Sequence, residues 1–114
     1  MFADGGPVLI VRAHVDDAML ADFRRWFRAI QLPHMLEIPG LIEARPMSVP
    51  KQHPDLNWMV IYHFAPGSEV QEALQSEEAR LARDDWTAWA RYVRDISFEV
   101  YASLAPLPAL HHWN

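Results

Sequence analysis

The alternation of apolar and polar residues along the chain predicts four strands, separated by two helical regions and a loop. The predicted strands are residues 8–15, 41–49, 58–64 and 96–104. In the first helix, apolar residues recur three and four positions apart, at Met19, Leu20, Phe23, Trp26, Phe27 and Ile30. This helix is expected to break at Pro33, which lacks a helical N–H, and to turn at Pro39-Gly40.

The second helical region begins at Ser68, and a further helical piece starts near Ser76 or Asp84. Asp16 or Asp17 is a candidate cap for the first helix, and Ser68 with Gln71 has the spacing of a capping box. The resulting element order is βαββαβ. Two βαβ units with right-handed crossovers predict an α+β, ferredoxin-like fold, with both helices on one face of a four-stranded antiparallel sheet of order 4-1-3-2.

The two faces of this predicted sheet differ in character. The face covered by helices is expected to carry Leu9, Val11, Ala13, Ile42, Ala44, Trp58, Val60, Tyr62, Phe64, Ile96, Phe98, Val100 and Ala102. The other face mixes apolar residues such as Leu41, Ile10 and Ile61 with ionisable ones, which indicates burial against a partner with the charges paired. Aligning the first and fourth strands predicts an ion pair between Arg12 and Glu99.

Length, composition and charge limit the classes of function. The 114 residues correspond to one domain, residues 8–104, with a leader at 1–7 and an extended tail at 105–114. The absence of cysteine excludes thiolate catalysis and a disulfide scaffold. The net charge of −5 and the lack of a basic stripe argue against nucleic-acid binding. No apolar run has the length of a membrane span or signal segment, so we expect a cytoplasmic protein.

One segment carries a resemblance to known proteins. Residues 26–45 read WFRAIQLPHMLEIPGLIEAR, which is similar to W-[YF]-x-x-x-H-[IL]-P-x-L-L-x-V-P-G-F-x-x-A-R in small dimeric α/β-barrel proteins. These include EthD-like ether-degradation proteins and antibiotic-biosynthesis monooxygenases, many of them bacterial. Over residues 8–104 the resemblance implies a homodimer, a small apolar or aromatic ligand and no cofactor. Its sheet interface is expected to include Arg12, His14, Glu43, Arg45, His63 and Glu99.

The chain departs from that pattern at Gln31, where relatives often have histidine. An amide can hydrogen-bond but cannot shuttle a proton near neutral pH. Gln31 is therefore expected either to orient a substrate carbonyl or to satisfy carbonyl groups at the helix end.

The candidate site residues follow from the resemblance. It implies a ligand between sheet and helices, with Gln31, Trp58, Tyr62, Trp86 and Trp89 as binding residues, although packing in the core is the more ordinary role for the aromatic ones. His14 and Arg45 are candidate catalytic residues, as groups that hold an oxyanion. His14 and His63 are expected about 16 Å apart, at opposite ends of the sheet, and no metal site is predicted.

Two functions stay open at this point. One is cofactor-independent oxidation or rearrangement of a phenolic or polyketide-like compound, in which the electron-rich substrate reduces oxygen directly. The other is a non-catalytic binding or structural dimer. No nucleotide-binding loop or serine-hydrolase motif occurs in the sequence.

Overall fold

The computed structural model describes residues 5–104, which form one four-stranded sheet with helices on one face. The strands are β1 (Val8–Val15), β2 (Leu41–Met47), β3 (Trp58–Phe64) and β4 (Val93–Tyr101). The helices are α1 (Leu20–Trp26), α2 (Leu32–Met35), α3 (Val70–Ala73) and α4 (Glu77–Asp85). A π-helical turn, Phe27–Gln31, joins α1 to α2, and short 3-10 turns occupy Asp17–Met19 and Trp86–Trp89. Most of the predicted leader and the whole predicted tail lie outside the described residues.

The sheet order is β2-β3-β1-β4, which is the predicted order counted from the other edge. β1 lies between β3 and β4 and pairs with both in antiparallel fashion. The predicted α+β, ferredoxin-like fold is therefore confirmed. β1 and β3 have the predicted bounds, whereas β2 ends at Met47 and β4 is shifted towards the N-terminus, to Val93–Tyr101.

The core lies between the helices and one face of the sheet. In β1 every second residue from Leu9 to Val15 is buried, and the alternate residues are half-buried on the other face. The two residues at the start of β2 were assigned to the wrong faces, because Leu41 is buried and Ile42 is exposed. A bulge between Leu41 and Glu43 adds a residue to the strand and reverses the alternation at this point.

The apolar side chains of β4 are not covered as predicted. Phe98 is paired with Val11 and Val100 with Leu9, so both lie on the helical side of the sheet. They are nevertheless exposed, as is Ile96. β4 is an edge strand, and the helices leave this edge of the sheet open.

The first helix continues through Pro33 instead of breaking there. In the π-helical turn the N–H of Leu32 donates to the carbonyl of Phe27, five residues earlier. This wider turn lies directly before Pro33, where a regular α-helix would press the proline ring against the carbonyl of Ala29.

The π-helical turn also changes which residue faces the core. On an α-helix, side chains four residues apart point about 40° away from each other around the helix axis. The wider turn between Phe27 and Gln31 compensates for this difference in direction. Phe23, Phe27 and Gln31 consequently share one buried line. Ile30, predicted to be buried, is 44% exposed, and Gln31 is 2% exposed in its place.

The predicted helix caps had mixed outcomes. Ser76 caps α4, since its hydroxyl accepts from the N–H of Ala79 at 3.1 Å. Neither Asp16 nor Asp17 makes a side-chain cap at the first helix. The predicted capping box at Ser68 is absent, because α3 begins after Glu69 and that end has no side-chain cap. Among residues 5–104, no helix has the length and apolar character needed to cross a membrane.

Candidate ligand-binding site

A cavity of about 130 Å³ lies between the sheet and the helices. Its wall is mainly apolar and includes Leu9, Val11, Met35, Ile38, Leu74 and Phe98. An apolar cavity of about 150 Å³ is known to hold a benzene molecule in another protein. The enclosed space therefore suits one aromatic ring, and the rest of a larger ligand would extend past Phe98 at the open edge of the sheet.

Four residues with polar groups also line the cavity, namely Gln31, Tyr62, Arg83 and Trp86. Gln31 is held by a complementary set of hydrogen bonds. The orientation of the amide is assigned from its neighbours: Nε2 then donates to Asp85 Oδ2 at 3.1 Å and to the carbonyl of Ala82 at 2.9 Å, and Oε1 accepts from Trp86 Nε1 at 3.0 Å. The buried amide thereby joins the helix that carries Pro33 to α4 and to the turn that follows it.

Asp85 receives a second hydrogen bond from outside the cavity. His34 Nδ1 lies 2.6 Å from Asp85 Oδ2, the oxygen that also accepts from Gln31. Because a carboxylate can only accept, the His34 ring donates through Nδ1. Asp85 thus links the half-exposed His34 to the buried Gln31, and these hydrogen bonds continue from Gln31 to Trp86.

The hydroxyl of Tyr62 makes no hydrogen bond within the described part of the chain. Tyr62 is 1% exposed, and within residues 5–104 its hydroxyl has no hydrogen-bond partner. Burial raises the pKa of Tyr62 well above its ordinary value, because the phenolate form would be desolvated. At neutral pH the hydroxyl is protonated and can both donate to a ligand and accept from it.

Arg83 supplies a positive charge beside the cavity. Its Nη1 donates to the carbonyl of Leu74 at 2.6 Å, which anchors the guanidinium next to another wall residue. No carboxylate within residues 5–104 forms an ion pair with Arg83, whereas its neighbour Arg80 contacts both Glu77 and Asp84. The remaining N–H groups of Arg83 are thus available to an anionic oxygen.

Trp58 and Trp89 lie beside the cavity but are not part of its wall. Both pack edge-on against Phe23, with ring centroids 5.1 and 5.3 Å from it. Trp86 lines the cavity and also packs against Phe23, with ring centroids 5.6 Å apart. Of the five predicted binding residues, the structure brings Gln31, Tyr62 and Trp86 together at the cavity.

His14 and Arg45, the predicted catalytic pair, lie on the opposite face of the sheet. His14 belongs to the half-buried set of β1 residues, and Arg45 is exposed on β2. His63 is paired with Val8, at the other end of β1 from His14, as expected. No cluster of three or more metal-binding side chains occurs among residues 5–104.

Three residues of the site were not predicted from the sequence, namely His34, Arg83 and Asp85. His34 and Asp85 are 51 positions apart, and no local pattern links them. Arg83 is one of several charged residues on α4, and only its position beside the cavity distinguishes it from Arg80.

The comparison with known proteins finds similarity in structure but not in sequence. No family model matches the chain, and no curated protein matches it in sequence. An ethyl tert-butyl ether D (EthD) family protein from Bacillus halodurans superposes with a TM-score of 0.69 at 14% identity, over 87% of this chain and 99% of that one. The fold is that of the EthD and antibiotic-biosynthesis-monooxygenase proteins.

Two further structures support this assignment of the fold. SnoaB, a cofactor-independent oxygenase from Streptomyces nogalater, superposes with a TM-score of 0.63 at 16% identity, over 92% of this chain and 99% of that one. A protein of Caulobacter crescentus described as a candidate antibiotic biosynthesis monooxygenase superposes with a TM-score of 0.64 at 12% identity, over 91% of this chain and 94% of that one. The resemblance predicted from the sequence is confirmed at the level of the fold.

Proposed function

We propose that this protein is a homodimer that binds a small aromatic metabolite between its sheet and helices. We further propose that it acts on this ligand as a cofactor-independent oxygenase. The observation that carries the proposal is the hydroxyl of Tyr62, which has no hydrogen-bond partner among residues 5–104 and lies at a mainly apolar, ring-sized cavity. Because Tyr62 lines the cavity, its hydroxyl can make there, with a ligand, the hydrogen bond that it lacks within the protein.

The polar groups of the cavity suit an aromatic compound that carries an acidic hydroxyl. Tyr62 can donate to a ligand oxygen inside the cavity, and Arg83 can stabilise negative charge beside it. The apolar wall excludes water and strengthens both interactions. Together these groups favour a ligand whose ring oxygen acquires negative charge during the reaction.

The oxygenase chemistry needs no resident redox group. A deprotonated, electron-rich ring transfers electrons to dioxygen, and a ring CH₂ becomes a carbonyl, so that R₂CH₂ and O₂ give R₂CO and H₂O. SnoaB, which has the same fold, is a cofactor-independent oxygenase. In this chain Tyr62 and Arg83 would hold the oxyanion of the substrate. Isomerisation through the same anion is the related alternative, and it consumes no oxygen.

The other face of the sheet is proposed as the dimer interface. It carries half-buried Ile10, Met59 and Ile61 together with the ion pair between Arg12 and Glu99. Arg12 Nε and His14 Nδ1 are buried without a hydrogen-bond partner among residues 5–104. A second copy packed on this face would supply partners for both nitrogens and cover the apolar side chains.

A non-catalytic binding dimer is the rival function. Native mass spectrometry of the purified protein measures both the oligomer and any retained ligand. A dimer with additional mass supports binding, and a monomer would contradict the proposed interface.

Oxygen consumption separates the oxygenase from its alternatives. The measurement uses an oxygen electrode with a panel of hydroquinones and anthrones. Consumption that depends on the protein supports the oxygenase. If a panel member binds but no oxygen is consumed, the oxygenase is wrong, and product analysis then distinguishes isomerisation from simple binding.

A further inference from the structure

We propose that Asp85 is a positioning residue that fixes the side-chain amide of Gln31. As a result, the cavity prefers ligands that donate a hydrogen bond over ligands of the same shape that can only accept one. The preference rests on the proposed function, because it concerns the ligand of the same cavity. The positioning itself is a property of the chain without ligand.

The hydrogen-bonding capacity of Gln31 is almost fully used within the protein. A glutamine side chain has two N–H donors and two acceptor lone pairs. Both donors are engaged, one by Asp85 Oδ2 at 3.1 Å and the other by the carbonyl of Ala82 at 2.9 Å. Trp86 Nε1, at 3.0 Å, occupies one lone pair of Oε1. The remaining lone pair is the only hydrogen-bonding capacity that Gln31 can offer to a ligand.

The reversed orientation of the amide is strongly disfavoured. It would place Oε1 against the Asp85 carboxylate and the Ala82 carbonyl, and the NH₂ group against the indole N–H of Trp86. Three hydrogen bonds would thereby become three repulsive contacts in a buried site. His34 Nδ1, 2.6 Å from the same Asp85 oxygen, holds the carboxylate in place from the other side.

This arrangement argues against one of the two roles expected for Gln31 from the sequence. Gln31 cannot orient a substrate carbonyl, because it has no free N–H to donate. It can accept from a ligand hydroxyl or N–H at the cavity wall. Tyr62 does not discriminate between ligands in this way, since a hydroxyl both donates and accepts.

Indole and benzofuran provide a direct test, since they have the same shape and only indole has an N–H. Their affinities are measured by calorimetry for the wild type, Asp85→Asn and Asp84→Asn. Asp84→Asn is the matched control, because it makes the same charge change one residue away, at an exposed carboxylate paired with Arg80.

The indole-to-benzofuran affinity ratio is expected to fall about fivefold in Asp85→Asn, because the asparagine amide can turn to donate, which removes one of the three contacts that oppose reversal of Gln31. The ratio is expected to stay unchanged in Asp84→Asn. An unchanged ratio in Asp85→Asn would overturn the preference. If neither probe binds the wild type, both the proposed function and the preference fail.

Nuclear magnetic resonance of the ligand-free, ¹⁵N-labelled protein tests the positioning by itself. The side-chain NH₂ pair of Gln31 is assigned by its loss in Gln31→Glu. Its hydrogen exchange is expected to be slow in the wild type and in Asp84→Asn, and at least about tenfold faster in Asp85→Asn. The backbone N–H of Val60, in the core of the sheet, serves as the reference for global opening. A Gln31 NH₂ pair that stays equally protected in Asp85→Asn would overturn the role of Asp85, whether or not any ligand binds.

Discussion

Arg12 Nη1 lies 2.9 Å from Glu99 Oε1, although the two residues are not opposite each other in the sheet. The register of β1 and β4 places Arg12 opposite Ser97 and Glu99 opposite Ile10, so the contact is diagonal. The ion pair predicted from the sequence is thus confirmed, with a register two residues away from direct opposition. In the single chain the two side chains are 31% and 36% exposed.

Neutralising Glu99 tests whether this ion pair is buried in a dimer. A pair with this exposure contributes at most about 1 kcal/mol in a monomer. When a pair is buried at an interface, removing one partner costs about 3–5 kcal/mol, because the other charge stays buried and uncompensated. We expect Glu99→Gln to weaken dimerisation by more than about 2 kcal/mol, as measured by sedimentation.

The double variant and a distant control complete this test. Arg12→Met combined with Glu99→Gln should cost less than the sum of the single changes, since no unpaired charge remains. Arg25→Met, at an exposed pair on α1, should leave dimerisation unchanged. If Glu99→Gln weakens dimerisation by less than about 1 kcal/mol, this face of the sheet is exposed to solvent and is not the interface.

Tyr62→Phe should separate stability from activity. The substitution removes a buried hydroxyl that has no partner among residues 5–104, so the free energy of unfolding in urea should stay the same or rise by up to about 1 kcal/mol. Protein-dependent oxygen uptake should fall by at least about tenfold, because the oxyanion loses a donor. Tyr101→Phe, which removes an exposed hydrogen bond to Glu99 on the other face, is the control and should leave uptake unchanged. Unchanged oxygen uptake in Tyr62→Phe would show that the Tyr62 hydroxyl takes no part in the reaction.

Gly40 and Gly67 form a matched pair for a test of packing. Both have a left-handed backbone, with φ of +85° and +83°. A Cβ at Gly40 would lie 2.8 Å from Ser68 Oγ, whereas at Gly67 it would meet nothing within 4 Å. Gly67→Ala should therefore show the backbone cost alone, about 1 kcal/mol of unfolding free energy. Gly40→Ala should lower the free energy of unfolding clearly more than Gly67→Ala does. Adding Ser68→Ala to Gly40→Ala should restore part of that additional loss, because it removes the Oγ that the new Cβ meets. Equal costs at the two glycines would show that Ser68 moves away freely.

The stability of the protein should depend on pH through His63. Burial lowers the pKa of His63, Arg45 lowers it further, and the nearby Glu43 opposes both. The unfolded chain therefore binds a proton more readily than the folded one, so the free energy of unfolding falls as the pH drops below about 6.5. We expect the loss between pH 7.5 and 5.5 to be smaller in His63→Gln than in the wild type, as measured by urea denaturation. Equal losses in the two proteins would mean that other groups cause the pH dependence.

The sequence predicted the fold because the decisive signals were local. Alternation in β1 and the apolar run of β3 determine the bounds of two strands, and Ser76 marks the start of α4. The errors arose where a single residue changes the phase of a pattern, as at the bulge near Ile42. The site was less predictable, since the contact between His34 and Asp85 depends on how two distant helices pack.

The π-helical turn from Phe27 to Gln31 holds one residue more than an α-helical turn, which has a consequence for comparing this chain with other proteins of the same fold. A protein that lacks it would need one residue fewer to connect the same two helical ends. Counting along the helix in steps of 3.6 residues therefore loses its frame within this turn. Residues matched to Gln31 by helical periodicity alone would be neighbours of its true counterparts. The counterpart of Gln31 in such a protein is best identified from the direction in which a side chain points, and not from its number.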